Sequence, residues 1–119
     1  MASGAEQMSI YFNPACSKCR TARGLLAERG IEAQVIDYLE VPPTVDELKA
    51  LMVALGITDP RDMMRTGEAI YSELGLGTHA GEDLLEAVVE HPILLERPIV
   101  VHHGRAVIAR PPDRLLELL

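Results

Sequence analysis

Two cysteines three residues apart, Cys16 and Cys19, are the side chains of this sequence best suited to covalent chemistry, and it has no others. They lie in Ile10-Tyr11-Phe12-Asn13-Pro14-Ala15-Cys16-Ser17-Lys18-Cys19-Arg20, where a short apolar run breaks at Asn13-Pro14 and gives way to a helical pattern. That order predicts a strand, a tight turn, and a thiol at a helix N-terminus. Only the thiolate is a nucleophile, and the unpaired N–H groups and positive dipole end of a helix favour it over the thiol. The same N–H groups suit an oxyanion. Cys19 follows one turn later, and Arg20 stands at i+4 from Cys16, so both can share its helix face. Three interpretations of the cysteine pair compete. A C-x-x-C after a strand reads first as redox-active. It also fits two reduced structural cysteines, or half of a zinc site, but no second Cys pair or well-spaced His pair completes a tetrad.

The elements that must position these thiols follow from periodicity. Ser9 to Phe12 reads as a strand and Ser17 to Arg29 as a helix with Ala22, Leu25, Leu26 and Arg29 in register, stopped by Gly30. Gly24 inside that helix suggests a close approach to a neighbouring backbone. Ala33 to Tyr38 is a second strand, apolar enough to lie inside a sheet, and strand–helix–strand makes the two strands parallel. Val41-Pro42-Pro43 is a rigid connector, and Thr44-Val45-Asp46-Glu47 has the form of a capping box. The helix behind it carries Val45, Leu48, Leu51, Met52 and Leu55 on one stripe and ends at Gly56. Short helices are expected from Asp59-Pro60 to Met64, with one of the two methionines in the core and the other at the surface, and from Glu68 to Leu74. Glu82 to Glu90 is the clearest helix of this middle section. Arg97 to Val101 and Ala106 to Ala109 read as strands joined by a turn at His102-His103-Gly104-Arg105, with Gly104 at positive φ. Asp113 to Leu119 closes the chain as a helix.

The resulting order is β-α-β, a helical insert, then β-β-α. That is a thioredoxin-like α/β fold, a central mixed sheet flanked by helices on both faces, with Pro98 as a cis-proline opening the third strand. A length of 119 residues and a hydrophobic share of 48% fit one domain over residues 8–119, preceded by a short disordered leader at 1–7. The net charge of −7 argues against nucleic-acid binding, since phosphates would be repelled. No apolar run is long enough for a membrane span, and residues 1–7 lack the features of a signal peptide. Two cysteines, no signal and a C-x-x-C give the expectation of a cytoplasmic protein, and a monomer is expected.

Read together, these residues resemble the small thioredoxin-fold arsenate reductases that use glutathione and glutaredoxin, the ArsC-like family. The matching pieces are Tyr11-x-Asn13-Pro14-x-Cys16 with Arg20; Tyr38-Leu39-Glu40-x-Pro42-Pro43-Thr44; Arg65; Tyr71-x-Glu73-Leu74-Gly75-Leu76; His91-Pro92-Ile93-Leu94-x-x-Arg97-Pro98-Ile99-Val100-Val101; and Arg110-Pro111. The resemblance implies that Cys16 attacks arsenate and that Arg65, Arg97 and Arg110 surround the oxyanion. Guanidinium forks bind tetrahedral oxyanions bidentately and lower the pKa of a nearby thiol. Arg20 is a further candidate oxyanion ligand from its helix spacing, or else it snorkels or caps. Asn13, Pro14 and Pro98 shape the site. Arg29, Arg61, Arg105 and Arg114 read as solvated. No metal and no tightly bound cofactor is implied, only glutathione/glutaredoxin or thioredoxin as reductant.

Two positions depart from the family pattern. Phe12 occupies the slot where its best-studied members carry a His, which shifts thiol activation to the helix terminus and the arginines. Cys19 stands where the glutathione-dependent members have Ser or another residue, and its spacing allows a disulfide with Cys16. This C-x-x-C keeps two alternatives open: a general thiol–disulfide oxidoreductase, and a redox-sensing regulator of the Spx type that binds RNA polymerase.

Overall fold

A computed structural model gives the fold, and residues 8–119 are described; the expected leader at 1–7 lies outside them. The chain forms two compact units. One runs up to Tyr38 and resumes at Arg97–Leu119, and the other is the insert Leu39–Glu96.

The first unit holds a four-stranded sheet of β1 (Ser9–Tyr11), β2 (Gln34–Ile36), β3 (Ile99–His102) and β4 (Arg105–Ile108) in the order β2-β1-β3-β4. The helix α1 (Ser17–Glu28) links β1 and β2, which pair in parallel, while β3 is antiparallel to both β1 and β4. This is the thioredoxin-like arrangement, with the mixed sheet expected from the element order.

Period-two alternation sorts the faces. Met8, Ile10 and Phe12 join Val100, Val107 and Ala109 in a buried cluster against Cys19, Ala22 and Leu26 of α1. Leu115 and Leu118 seal the same cluster from the C-terminal segment Pro112–Leu118. That segment is a 3-10 helix rather than the expected α-helix. Its tighter winding still brings two leucines three residues apart onto one side, which is what the core requires. Tyr11, on the opposite sheet face, meets the ring of Tyr38 at 6.4 Å between centroids.

Several expectations are corrected. β2 is an edge strand with Val35 exposed, because the second partner of β1 is β3; apolar content alone did not distinguish edge from interior. Gly24 is exposed and a Cβ there would meet nothing within 4 Å, so no close approach explains it. Arg29 caps the exposed end of α1 instead of extending its apolar stripe. The β3–β4 turn is a two-residue one in which both His103 (φ 53°) and Gly104 (φ 73°) are left-handed, the geometry that matches the twist of a hairpin.

In the insert unit, α2 (Val45–Leu55) is opened by the full capping box. The Thr44 hydroxyl accepts the Glu47 N–H at 3.1 Å, and the Glu47 carboxylate accepts the Thr44 N–H at 2.8 Å. Leu48 and Leu51 of α2 are buried, as are Leu84, Leu85 and Val88 of α4 (Glu82–Glu90), the helix that packs on it. The short helix α3 (Ala69–Glu73) and 3-10 turns at Pro60–Met63, Leu76–Thr78 and Pro92–Leu94 complete the unit. Met63 and Met64 are both buried, not one in and one out. A bridge between Met64 and Leu95, flanked by hydrogen bonds from Arg65 N–H to Leu94 O and from Glu96 N–H to Met63 O, makes this stretch extended, so both side chains find cover. Among the described residues no helix is long and apolar enough to cross a membrane.

Candidate active site

Sheet register explains why residues far apart in sequence meet. Tyr11 pairs with Ile99, and Ile99 with Ile108, so these three form one row across the sheet. Counting two residues outward from that row gives Asn13 after β1, Arg97 before β3 and Arg110 after β4. The β1–α1 turn and both arginines therefore leave the sheet at one end. Arg110 Nη1 donates to the Arg97 carbonyl at 3.0 Å, and Ala109 N–H donates to the Pro98 carbonyl at 2.9 Å, which carries the hairpin pairing past its formal end. The Arg97–Pro98 peptide is cis, as expected, and so is Arg110–Pro111, which was not foreseen.

The turn from β1 into α1 is held by Asn13, one residue of opposite polarity in an apolar surround. Its side chain is buried and its Oδ1 accepts the Ala15 N–H at 2.9 Å, while its carbonyl accepts the Cys16 N–H at 2.9 Å. The Asn13 N–H donates to Cys19 Sγ at 3.5 Å. Cys16 becomes the N-cap of α1 in extended conformation, φ −94° and ψ 119°. Its half-buried sulfur is placed where the first N–H groups of the helix point.

Electrostatics separates the two thiols. Burial acts to raise the pKa of Cys16, but it is outweighed by the N–H and thiol of Cys19, the Arg97 guanidinium and the Lys18 N–H, so the net shift is downward from 9.0. Cys19 moves the other way, to about 11, chiefly because it is enclosed in the core and because Cys16 opposes a second negative charge, against the Asn13 N–H. The arrangement sets a thiol biased toward its thiolate beside one held protonated.

Arg97 carries the most telling feature. Its Nε and Nη1 are buried and have no hydrogen-bond partner among the described residues. Buried guanidinium donors without acceptors are costly, so a site of this kind suits an anion. Arg110 is half-buried with one fork on the Arg97 carbonyl.

Arg20, expected on the face of Cys16, is exposed and instead points back along the chain, donating from Nη1 to the Pro14 carbonyl at 2.6 Å. Phe12 is buried, with the Arg23 guanidinium over its ring at 5.7 Å, so the slot contributes packing and a cation–π contact in place of an ionisable group.

Arg65 belongs to the insert unit. There its Nε meets Glu68 at 3.1 Å and its Nη1 meets Glu96 at 3.8 Å. Arg61, read from the sequence as solvated, is a structural clamp: it donates to the Tyr71 hydroxyl at 2.9 Å, to the Leu76 carbonyl at 2.8 Å and to the His79 carbonyl. Its position after Asp59-Pro60 gave no hint of this, because all three acceptors lie ten or more residues further along. His79 pairs with Asp83, and His102 Nδ1 lies 3.2 Å from the Leu118 carbonyl. Among the described residues no group of three or more His, Cys, Asp or Glu could hold a metal ion.

Comparison with known proteins finds relatives along nearly the whole chain. An arsenate reductase of Neisseria meningitidis is 44% identical over 115 residues, covering 95% of this chain and 98% of its own. One from Escherichia coli K12 is 40% identical over 114 residues, covering 94% of this chain and 80% of its own. The solved structure of an arsenate reductase from Vibrio cholerae superposes with a TM-score of 0.92 at 49% identity, covering 98% of this chain and all of that one. The ArsC family model matches residues 11–118, and the chain belongs to the ArsC family.

Proposed function

We propose that this chain is a thiol-dependent arsenate reductase in which Cys16 is the nucleophile. The observation that carries the reading is the buried pair of Arg97 donors without an acceptor among the described residues, on a guanidinium that also draws down the pKa of Cys16. An oxyanion supplies the missing acceptors and brings an electrophilic centre to the thiolate.

In the proposed cycle the Cys16 thiolate attacks As(V), and one arsenate oxygen leaves as water after protonation. A second thiol then attacks the Cys16 sulfur. The S–As bond breaks with its electron pair going to arsenic, which leaves as arsenite, and the two sulfurs remain joined as a disulfide. Charge that builds on the arsenate oxygens during attack is met by Arg97 and Arg110. Arg65 is already balanced by Glu68 and Glu96 within its own unit, so the assignment rests on the other two arginines.

Glutathione or Cys19 can act as the second thiol. Enclosure of Cys19 and its raised pKa favour an external thiol for the first attack, because the internal one must lose its proton in an apolar surround. The reductant is then a glutathione/glutaredoxin system, with thioredoxin as the alternative where a Cys16–Cys19 disulfide forms. A general dithiol oxidoreductase is the separate alternative in which that disulfide forms without arsenate turnover.

The test is arsenite release by the purified chain, with glutathione/glutaredoxin and thioredoxin supplied separately. Arsenite from the wild type and none from Cys16→Ser supports the reading. Glutathione on Cys16 after turnover, found by mass spectrometry, supports the external thiol. Absence of arsenite with both systems would reject arsenate reduction.

A further inference from the structure

The turn that presents Cys16 is pinned by two side chains, and only one of them belongs to the turn. Asn13 holds it from inside through the Ala15 N–H. Arg20 holds it from the helix: its backbone N–H donates to the Cys16 carbonyl at 3.2 Å, and its guanidinium reaches past Cys16 to the Pro14 carbonyl at 2.6 Å. A single residue of α1 thus ties the carbonyls on both sides of Ala15 to the first turn of the helix. The short distance and the cationic donor make this a strong hydrogen bond of its class. It also fixes the direction of the guanidinium, which lies in the exposed shell.

We propose that Arg20 is a positioning residue, holding the Pro14 carbonyl so that Cys16 stays at the N-cap of α1, and that it is not an oxyanion ligand. The groups acting on the Cys16 sulfur are Cys19, Arg97 and the Lys18 N–H, so Arg20 works through the backbone that aims them. An arginine suits the task because only a long side chain with a planar fork reaches six residues back over a helix terminus.

The inference rests on Cys16 being the reactive thiol, so its test reads that thiol directly and needs no arsenate turnover. Iodoacetamide alkylation of Cys16 is followed by peptide mass spectrometry in the wild type and in Arg20→Ala. Hydrogen exchange of the Ala15 and Cys16 amides is measured alongside, and inorganic phosphate is titrated as a protecting anion. Arg20→Ala is expected to slow alkylation at neutral pH about three- to tenfold, the effect of losing one hydrogen bond, with both amides exchanging faster. Phosphate protection stays within about twofold of wild type, because the ligand contacts are untouched. Unchanged alkylation overturns the proposal. So does slowed alkylation with unchanged amide exchange, which is a charge effect alone, or a loss of phosphate protection greater than about tenfold, which is a ligand's signature. A wild-type Cys16 no faster than a free thiol defeats instead the assignment of the nucleophile on which the inference stands.

Discussion

Cys19, fully enclosed behind the N-terminus of α1, takes the Asn13 N–H on its sulfur at 3.5 Å and turns its thiol toward Cys16 one turn earlier. The same contact acts in opposite senses on its two ends. It steadies a negative charge on Cys16 and discourages one on Cys19. A serine would make the first contribution as well, so what the second sulfur adds is its capacity to form a disulfide.

That asymmetry has a consequence for stability. The pKa of Cys19 rises from 9.0 to about 11 on folding, so the folded chain retains a proton that the unfolded one loses. The stabilisation is fully present below pH 9.0 and declines as pH climbs toward about 11. Urea unfolding of Cys16→Ser and of Cys16→Ser/Cys19→Ala at several pH values gives the difference. Curves that stay parallel across this range would show that Cys19 is not held protonated by its surroundings.

Arg97→Lys keeps the charge near Cys16 and removes the fork. If the two buried nitrogens receive the oxyanion, kcat/KM for arsenate falls about 100-fold, the typical effect of deleting one pre-placed donor. Steady-state kinetics with the preferred reductant decides this, and wild-type efficiency in the variant would remove Arg97 from the anion site.

The C-terminal 3-10 helix is anchored by Leu118 and by Leu115, which is entirely buried in the cluster with Ile10, Leu26 and Val100. Leu115→Ala leaves a cavity between that segment and α1 and is expected to cost about 3 kcal/mol of unfolding free energy. A loss below about 1 kcal/mol in denaturant titration would mean that the segment collapses onto the gap or contributes little.

Arg61 ties Asp59, Tyr71, Leu76 and His79 together inside the insert unit. Arg61→Ala frees the Leu76–Thr78 turn while leaving the Asp59 cap of the preceding 3-10 turn in place. Amides at Thr78 and His79 are expected to exchange about tenfold faster, with those of α2 unaffected. Equal protection in variant and wild type would show that the short backbone bonds of the turn suffice.

The sequence alone determined the features that depend on neighbours a few residues apart. Thr44 to Glu47 spelled a capping box that forms with both hydrogen bonds, and Glu82 to Glu90 spelled a helix found with those same ends. Asn13-Pro14 ahead of Cys16 predicted a thiol at a helix N-cap, which is where it stands. The apolar runs Arg97 to Val101 and Ala106 to Ala109 around a His103-Gly104 turn predicted the hairpin that puts Arg97 beside Arg110. The tertiary structure decided what depends on partners far along the chain. Val35 became an edge residue because β3 took the other side of β1. Met63 and Met64 were both buried by a bridge to Leu95, thirty-odd residues away. Arg20 turned from the thiol to the Pro14 carbonyl, and Arg61 from solvent to three distant acceptors. Periodicity reports which face of an element is apolar, but it carries no information on what will lie against that face. A long cationic side chain has several acceptors within reach, and only the assembled backbone selects among them.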